Sequence, residues 1–182
     1  MLYSVGADIV LSIHTPDSGG YGPFNCPFLL DLSAHMGVFG LPVVGIKEFI
    51  FQTKTCNDAG IYLSNSIGMD SSKPFYELVL GGFAGAKSCI GRRNDDLLLP
   101  TSWFAAFPTC LQWVNLMDVP VCYEYRPYWI SWADGYIQLG RGSVINVNRI
   151  AGWTDPNHFE VKSIGIITTW GSSGDWIVRI DG

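Results

Sequence analysis

The side chains best suited to ligand chemistry are tryptophans that lie next to glycine or aspartate at expected turns. Four of the seven tryptophans have this setting, and two of them, Trp153 and Trp170, are expected to be exposed. An exposed indole ring beside hydrogen-bonding groups can stack on the C–H face of a sugar. Trp132 alternates with an apolar residue and Trp176 opens a strand, so both are expected in the core.

Charged and amide side chains near the same turns extend this set. Arg92 and Arg93 could contact an acidic or sulfated ligand, or simply lie on a solvated face. Aspartate favours turns on its own account, although loop carboxylates can also bind Ca²⁺ or sugar hydroxyls. No cofactor is predicted, and metal binding is left open. The predicted ligand-binding patch at the edge of the loops consists of Asn57, Asp58, Arg92, Arg93, Trp153, Asp155 and Trp170.

Patterns typical of catalytic and metal sites do not occur in the sequence. His14, His35 and His158 are not at metal-ligand spacing from one another, and there is no Gly-x-Ser-x-Gly motif. The five cysteines contain no Cys-x-x-Cys pair. We therefore predict no catalytic residue.

Composition limits the class of protein and of partner. A chain of 182 residues with 48% hydrophobic content is expected to form one domain, residues 1–182, with a real core. A net charge of −5 with 11 Lys and Arg argues against nucleic acid and anionic membranes as partners. No apolar run reaches the ~18 residues of a spanning helix, so no membrane insertion is expected. The N-terminus lacks the basic start of a signal peptide, so either none exists or a precursor was cut.

The odd number of cysteines leaves at least one thiol without a partner in the chain. In a secreted protein that thiol would be free or would join two chains, which keeps a homo-oligomer open. Cys110 and Cys122 flank a short segment and are the first candidates for a disulfide, and buried free thiols are the alternative.

The elements that must position these residues are strands, of which the clearest form a hairpin at residues 128–141. Asp134-Gly135 suits a type I′ turn, and a two-residue loop predicts that Ala133 pairs with Tyr136 and Trp129 with Gly140. Alternation puts one set of side chains in the core, Ile130, Trp132, Ile137 and Leu139. The other set is expected to meet water except at its tryptophan: Trp129, Ser131, Gln138 and Gly140.

Further strands are predicted along the chain from alternation and β-branched content. About ten strands and little or no helix predict an all-β fold, an antiparallel β-sandwich of jelly-roll type. Residues 153–157 are predicted to form a turn. The other predicted strands are 2–15, 43–55, 59–65, 75–80, 87–93, one near 119–125, 143–150, 159–169 and 175–180.

Several motifs in order resemble the farnesoic acid O-methyltransferase domain, a family found in invertebrates. They include Cys56-Asn57-Asp58-Ala59, the segments 75–82, 128–135 and 164–176, and Gly140-Arg141-Gly142. The resemblance covers about residues 46 to 180, with residues 1–45 outside it and expected to add strands. It implies a β-rich domain, often in secreted or multidomain proteins, and its name implies methyl transfer.

The sequence does not contain the pattern expected of a methyltransferase that uses S-adenosylmethionine. An S-adenosylmethionine site usually combines a strand, a glycine-rich turn and a helix in an alternating β/α chain. Here the glycine-rich turn at residues 80–85 precedes a strand-like segment. We predict a non-enzymatic, extracellular, lectin-like module with a glycan or another small polar ligand. The alternatives are an S-adenosylmethionine-dependent carboxyl methyltransferase and a structural or adhesive subunit.

Overall fold

The chain folds into a two-layer antiparallel β-sandwich of jelly-roll type. The computed structural model describes residues 9–17, 30–31, 45–70, 72–85, 87–94, 109–111 and 118–180. Among them a single helical turn, α1 (Gly82–Gly85), interrupts the strands. The strands are β1 (Ile9–Thr15), β2 (Leu30–Asp31), β3 (Glu48–Thr55), β4 (Ala59–Ser64), β5 (Phe75–Gly81), β6 (Lys87–Arg93), β7 (Thr109–Leu111), β8 (Arg126–Ala133), β9 (Tyr136–Arg141), β10 (Arg149–Thr154), β11 (Ser163–Thr168) and β12 (Gly174–Ile180).

The strands form two six-stranded sheets. Sheet A has the order β1-β12-β3-β8-β9-β10, and sheet B has the order β2-β11-β4-β5-β6-β7. The changes of sheet along the chain include those between β3 and β4 and on either side of β11. These crossings bring the β3–β4 and β11–β12 loops to the same end of the sandwich, where Thr169 N–H donates to the Asp58 carbonyl over 3.3 Å.

The predicted central hairpin is confirmed in register. Ala133 pairs with Tyr136, and the ladder continues to Trp129 opposite Gly140. Asp134 and Gly135 both have positive φ, 52° and 78°, as a type I′ turn requires. The predicted core set is buried, because Ile130, Ile137 and Leu139 are 0% exposed and Trp132 is 8% exposed.

Aromatic rings from several strands of sheet A build much of the core. Phe51 on β3 packs against Tyr128 at 5.7 Å and against Trp176 at 5.8 Å between ring centroids. Each of these side chains is almost completely buried. Because Trp176 is central to this cluster, truncating it would cost about 3–5 kcal/mol of folding free energy.

The opposite face of the hairpin is more covered than the sequence suggested. Trp129 is 0% exposed, its indole N–H donates to the Val147 carbonyl over 2.7 Å, and its ring fills the space above Gly140. The segment at 142–148 makes turns over this face, so the predicted strand at 143–150 is wrong. The strand here is β10, which starts at Arg149 and also takes in Trp153 and Thr154 of the predicted turn.

Two further expectations need correction. The segment at 119–125 forms a tight turn closed by a bridge between Val121 and Glu124, not a strand. Cys122 is bonded to Cys56 rather than to Cys110. Cys89 is also in a disulfide, and Cys110 is its register partner across β6 and β7. Contacts between distant strands, which sequence spacing does not reveal, decided the pairing.

Candidate functional site

Six of the seven residues of the predicted patch lie at two separate places, and Arg93 lies on the other face of sheet B. Arg92, Trp153 and Asp155 are near Tyr76, at the start of β5, whereas Asn57 and Asp58 are beside Gly81 at its end. Five residues of strand separate the two places by about 16 Å. Trp170 belongs to the second place through the β11–β12 turn.

At the first place, Asp155 is the centre of a buried polar cluster. It is 3% exposed and accepts hydrogen bonds from the Tyr76 hydroxyl at 2.8 Å, Arg92 at 2.7 Å and the Asn157 amide at 2.9 Å. Burial raises the pKa of Asp155, but these three donors outweigh burial and hold its pKa below the ordinary value. The cluster fastens the segment after β10 to sheet B.

Trp153 and Phe159, the two aromatic side chains beside this cluster, pack against Tyr76 and are not displayed to solvent as a binding surface. Trp153 is partly buried and meets Tyr76 edge-on at 6.1 Å, so the exposure expected for Trp153 is not found. Burial raises the pKa of Tyr76 further than its hydrogen bond to Asp155 does. Phe159 stacks on Tyr76 at 4.3 Å and lies under the Arg92 guanidinium. These contacts indicate a structural role for the cluster.

Arg93 points to the other face of sheet B. Its side chain is 8% exposed, lies 3.7 Å from the buried Glu77 carboxylate and sits over the ring of Phe75. Alternation along β6 separates it from Arg92, although the two residues are adjacent in sequence. The pair therefore does not form one exposed basic group.

At the second place lie the exposed aromatic side chains of the part of the chain that the structure describes. Tyr123 is 78% exposed, Tyr125 is 37% exposed and Trp170 is 48% exposed. We call these three residues the aromatic end. They lie on the 121–125 turn and on the β11–β12 turn, which both contact the end of β3.

Hydrogen bonds fix the turn that carries Trp170. The Asn57 amide N–H donates to Ser172 Oγ over 3.2 Å, and the Ser172 hydroxyl donates to Asn57 Oδ1. Gly171 N–H donates to Asp17 Oδ1 over 3.1 Å. Trp170 itself has φ of 57°, a left-handed conformation that turns the chain sharply. Trp170 is thus held at the apex by its neighbours.

A disulfide fixes the turn that carries Tyr123. Cys56, directly after β3, is bonded to Cys122, with 4.3 Å between the Cα atoms. The base of the turn is held separately, since Arg126 Nη1 donates to the Val119 carbonyl over 2.8 Å and Arg126 Nε donates to Glu124 over 3.0 Å. The disulfide is therefore the link between the tip of this turn and β3.

Tyr125 lies beside a row of charged groups. The Lys54 amine is 5.0 Å from the centre of the Tyr125 ring and 3.0 Å from Asp175, which also accepts from His14 over 2.8 Å. The hydrogen bond to Asp175 raises the pKa of Lys54. The bonds from His14 and then Lys54 lower the pKa of Asp175. Both charges of the Lys54 and Asp175 pair are therefore maintained at neutral pH.

The burial and contacts of Asp58 indicate a mainly structural role. It is 8% exposed, has φ of 48°, and its N–H donates to the Gly81 carbonyl over 3.1 Å. A side chain at Gly81 would meet Pro120 at 3.2 Å, so the glycine-rich turn is packed against its neighbours. The turn leads into α1, a single helical turn, and then into an antiparallel strand.

Sequence reasoning missed Tyr123 and Tyr125. Their signal is two tyrosines in a Cys-Tyr-Glu-Tyr run, where the cysteine can pin a turn and leave the rings outside. The strand predicted near residues 119–125 is not compatible with such a turn.

The described part of the chain lacks two kinds of feature. No helix there has the length and apolar character needed to cross a membrane. No group of three or more His, Cys, Asp or Glu side chains there is arranged to hold a metal ion.

Comparison with solved structures finds bacterial-type glucanases. A prokaryotic β-1,3-1,4-glucanase (lichenase) from a mouse hindgut metagenome matches 95% of this chain and 80% of its own, with 9% identity and a TM-score of 0.49. A β-glucanase of Bacillus licheniformis matches 76% of this chain and 67% of its own, with 11% identity and a TM-score of 0.46.

Comparison of sequences finds a family and an invertebrate relative. "Uncharacterized protein 5" of Haliotis asinina is 26% identical over 149 residues, which cover 80% of this chain and 69% of the relative. The family described as farnesoic acid O-methyl transferase matches residues 31–181, which include both turns of the aromatic end. The chain belongs to the farnesoic acid O-methyltransferase family.

Proposed function

We propose that this domain is a non-enzymatic recognition module that binds carbohydrate through the aromatic end. One observation carries the proposal: the exposed aromatic rings of the described residues lie on two turns that are fixed by a disulfide and by partly buried hydrogen bonds. Turns that are already fixed lose little conformational entropy when a ligand stacks on their rings.

The chemistry around these rings suits a sugar. A pyranose presents an apolar C–H face and a rim of hydroxyl groups, and aromatic side chains beside polar groups complement both. Trp170 and Tyr123 offer the faces, whereas Asp17 is bonded to Gly171 next to Trp170 and Lys54 lies over Tyr125. Binding of this kind requires no covalent reaction of the protein or of the ligand.

An extracellular setting accords with the disulfide. Disulfides persist in oxidising compartments and are rare in the cytosol. Both Cys56 and Cys122 are exposed in the fold, where a reducing environment would open the bond. We therefore place the proposed activity outside the cell or in a secretory compartment.

The family name favours a second function, methyl transfer from S-adenosylmethionine. Against it, the Gly81-Gly82 turn is packed against Val119 and Pro120, whereas a nucleotide cradle needs backbone open to the ligand. The antiparallel sandwich also lacks the strand, turn and long helix of the usual cofactor site in its described part.

A glycan array with the purified chain tests the proposal, and titration calorimetry with S-adenosylmethionine tests the alternative. We expect glycan binding that is lost in Trp170→Ala and kept in Ile67→Ala, which truncates an even more exposed apolar side chain on another loop. Saturable binding of S-adenosylmethionine with no glycan signal would favour the enzyme instead.

A further inference from the structure

The cationic side chains that border the aromatic end are already engaged by carboxylates. Lys54 lies over Tyr125 but is 3.0 Å from Asp175, and Arg126, next to Tyr125 in sequence, is 3.0 Å from Glu124. The Arg126 side chain is also only 9% exposed. The positive charge of each cation is therefore already balanced by a carboxylate.

A carboxylate also borders the turn that carries the other ring. Asp17 accepts from the Gly171 N–H, next to Trp170, over 3.1 Å. An anionic group placed against Trp170 would lie near this carboxylate. At about 4 Å, two like charges cost about 1 kcal/mol even in water, or roughly a fivefold loss of affinity.

The arginines that could have supplied free positive charge are elsewhere. Arg92 is bonded to Asp155 at 2.7 Å, and Arg93 is 3.7 Å from the buried Glu77. Both belong to the opposite end of β5 or to the other face of sheet B. They therefore add no anion-binding group to the aromatic end.

We infer that the aromatic end selects neutral sugars and disfavours sulfated or sialylated ones. This inference rests on the proposed function and adds to it the class of ligand. Recognition depends on stacking and on hydrogen bonds, so its affinity responds weakly to ionic strength. Acidic glycans would need a free cation, which the pairing of Lys54 and Arg126 removes.

The test is a glycan array read at 50 and 500 mM NaCl. It compares each neutral glycan with its sulfated and sialylated forms, for example N-acetyllactosamine with its 6-sulfated and sialylated forms. We expect the neutral members to bind, the acidic group to weaken binding about fivefold, and salt to change the neutral signal less than about twofold. Preference for acidic members, falling tenfold with salt, would overturn the inference and leave the proposed function standing. No glycan binding at all would overturn both.

A charge variant makes the test sharper. Asp175→Asn removes the carboxylate that engages Lys54 and His14, so it leaves positive charge beside Tyr125. We expect this variant to gain binding of sulfated glycans about fivefold while neutral glycans bind as before. An unchanged ratio between sulfated and neutral glycans would count against the role of the Lys54 pairing.

Discussion

Ser172 and Asn57 are joined by two hydrogen bonds although 115 positions separate them in sequence. Asn57 donates through its backbone N–H and accepts through its side-chain oxygen, and Ser172 is only 2% exposed. Asn57 also follows Cys56, whose disulfide holds the 121–125 turn. Two adjacent residues directly after β3 thus support the two turns that present aromatic rings.

Truncation of Trp170 should separate binding from stability. Trp170→Ala removes a ring that is 48% exposed, so we expect glycan affinity to fall at least tenfold while the free energy of unfolding changes by less than about 1 kcal/mol. Trp176→Ala is the contrasting variant, because Trp176 is fully buried. Isothermal titration and urea unfolding measure the two quantities, and a large loss of stability in Trp170→Ala would show that the ring is part of the core.

Removal of the Ser172 hydroxyl should loosen the Trp170 turn. Ser172→Ala leaves the Asn57 N–H and side-chain oxygen without their partner, which costs about 1–2 kcal/mol of stability. We also expect weaker glycan binding, because Trp170 is no longer held. Ser173→Ala, an exposed neighbour, is the matched control. Equal stability of the two variants in urea unfolding would show that the Ser172 hydroxyl does not support the turn.

Removal of the Cys56–Cys122 bond should impair binding more than folding. The bond closes a long loop, so Cys56→Ser with Cys122→Ser is expected to cost roughly 2–4 kcal/mol. The sandwich should remain folded, because the base of the turn is still held by Arg126 and Val119. Amide hydrogen exchange should rise at Cys122 and Tyr123. Unchanged glycan affinity in the double variant would show that the tip needs no disulfide.

Stability should depend on pH through Asp155. Its pKa is lower in the folded state than in the unfolded chain, so its contribution is complete above about pH 4 and is lost as the pH falls through the lowered pKa. Asp155→Asn should therefore be less stable than the parent at pH 7, and the difference should shrink below pH 4. Urea unfolding across this range measures it, and a constant difference would contradict the assigned hydrogen bonds.

Bulk at Gly140 should break the packing of the hairpin. A Cβ atom there would lie 2.2 Å from the Trp129 ring, which cannot move because its N–H is bonded to Val147. Gly140→Ala is expected to cost at least about 2 kcal/mol. Gly152→Ala on β10 is the control, since its nearest contact is the terminal hydroxyl of Tyr136 at 2.8 Å, which can shift together with its exposed hydrogen-bond partner Arg149. Thermal unfolding of both variants gives the comparison.

The sequence predicted correctly those segments whose structure depends on neighbouring residues alone. Asp134-Gly135 specifies its own turn, and alternation then places Trp132 and Ile137 in the core. The bounds of β6 also agree with the predicted strand at 87–93. In these segments the turn type and the side-chain period are both contained in a few neighbouring residues.

Contacts between distant segments decided the rest. Trp129 is covered because the 142–148 turns fold over it, and Cys122 meets Cys56 because β3 ends beside the 121–125 turn. The predicted patch divided for the same reason, since Arg92 and Asn57 lie at opposite ends of β5. Trp170 kept the exposure expected for it, because its place at the apex of a glycine turn is a local property.

The central claim is that carbohydrate meets the protein at Trp170. The most direct measurement is the indole N–H signal of each tryptophan in ¹H–¹⁵N spectra, recorded during titration with the neutral glycan that binds best on the array. We predict that the signal assigned through Trp170→Phe shifts on saturation while those of Trp129 and Trp176 stay in place. Binding that leaves the Trp170 signal unchanged would contradict it.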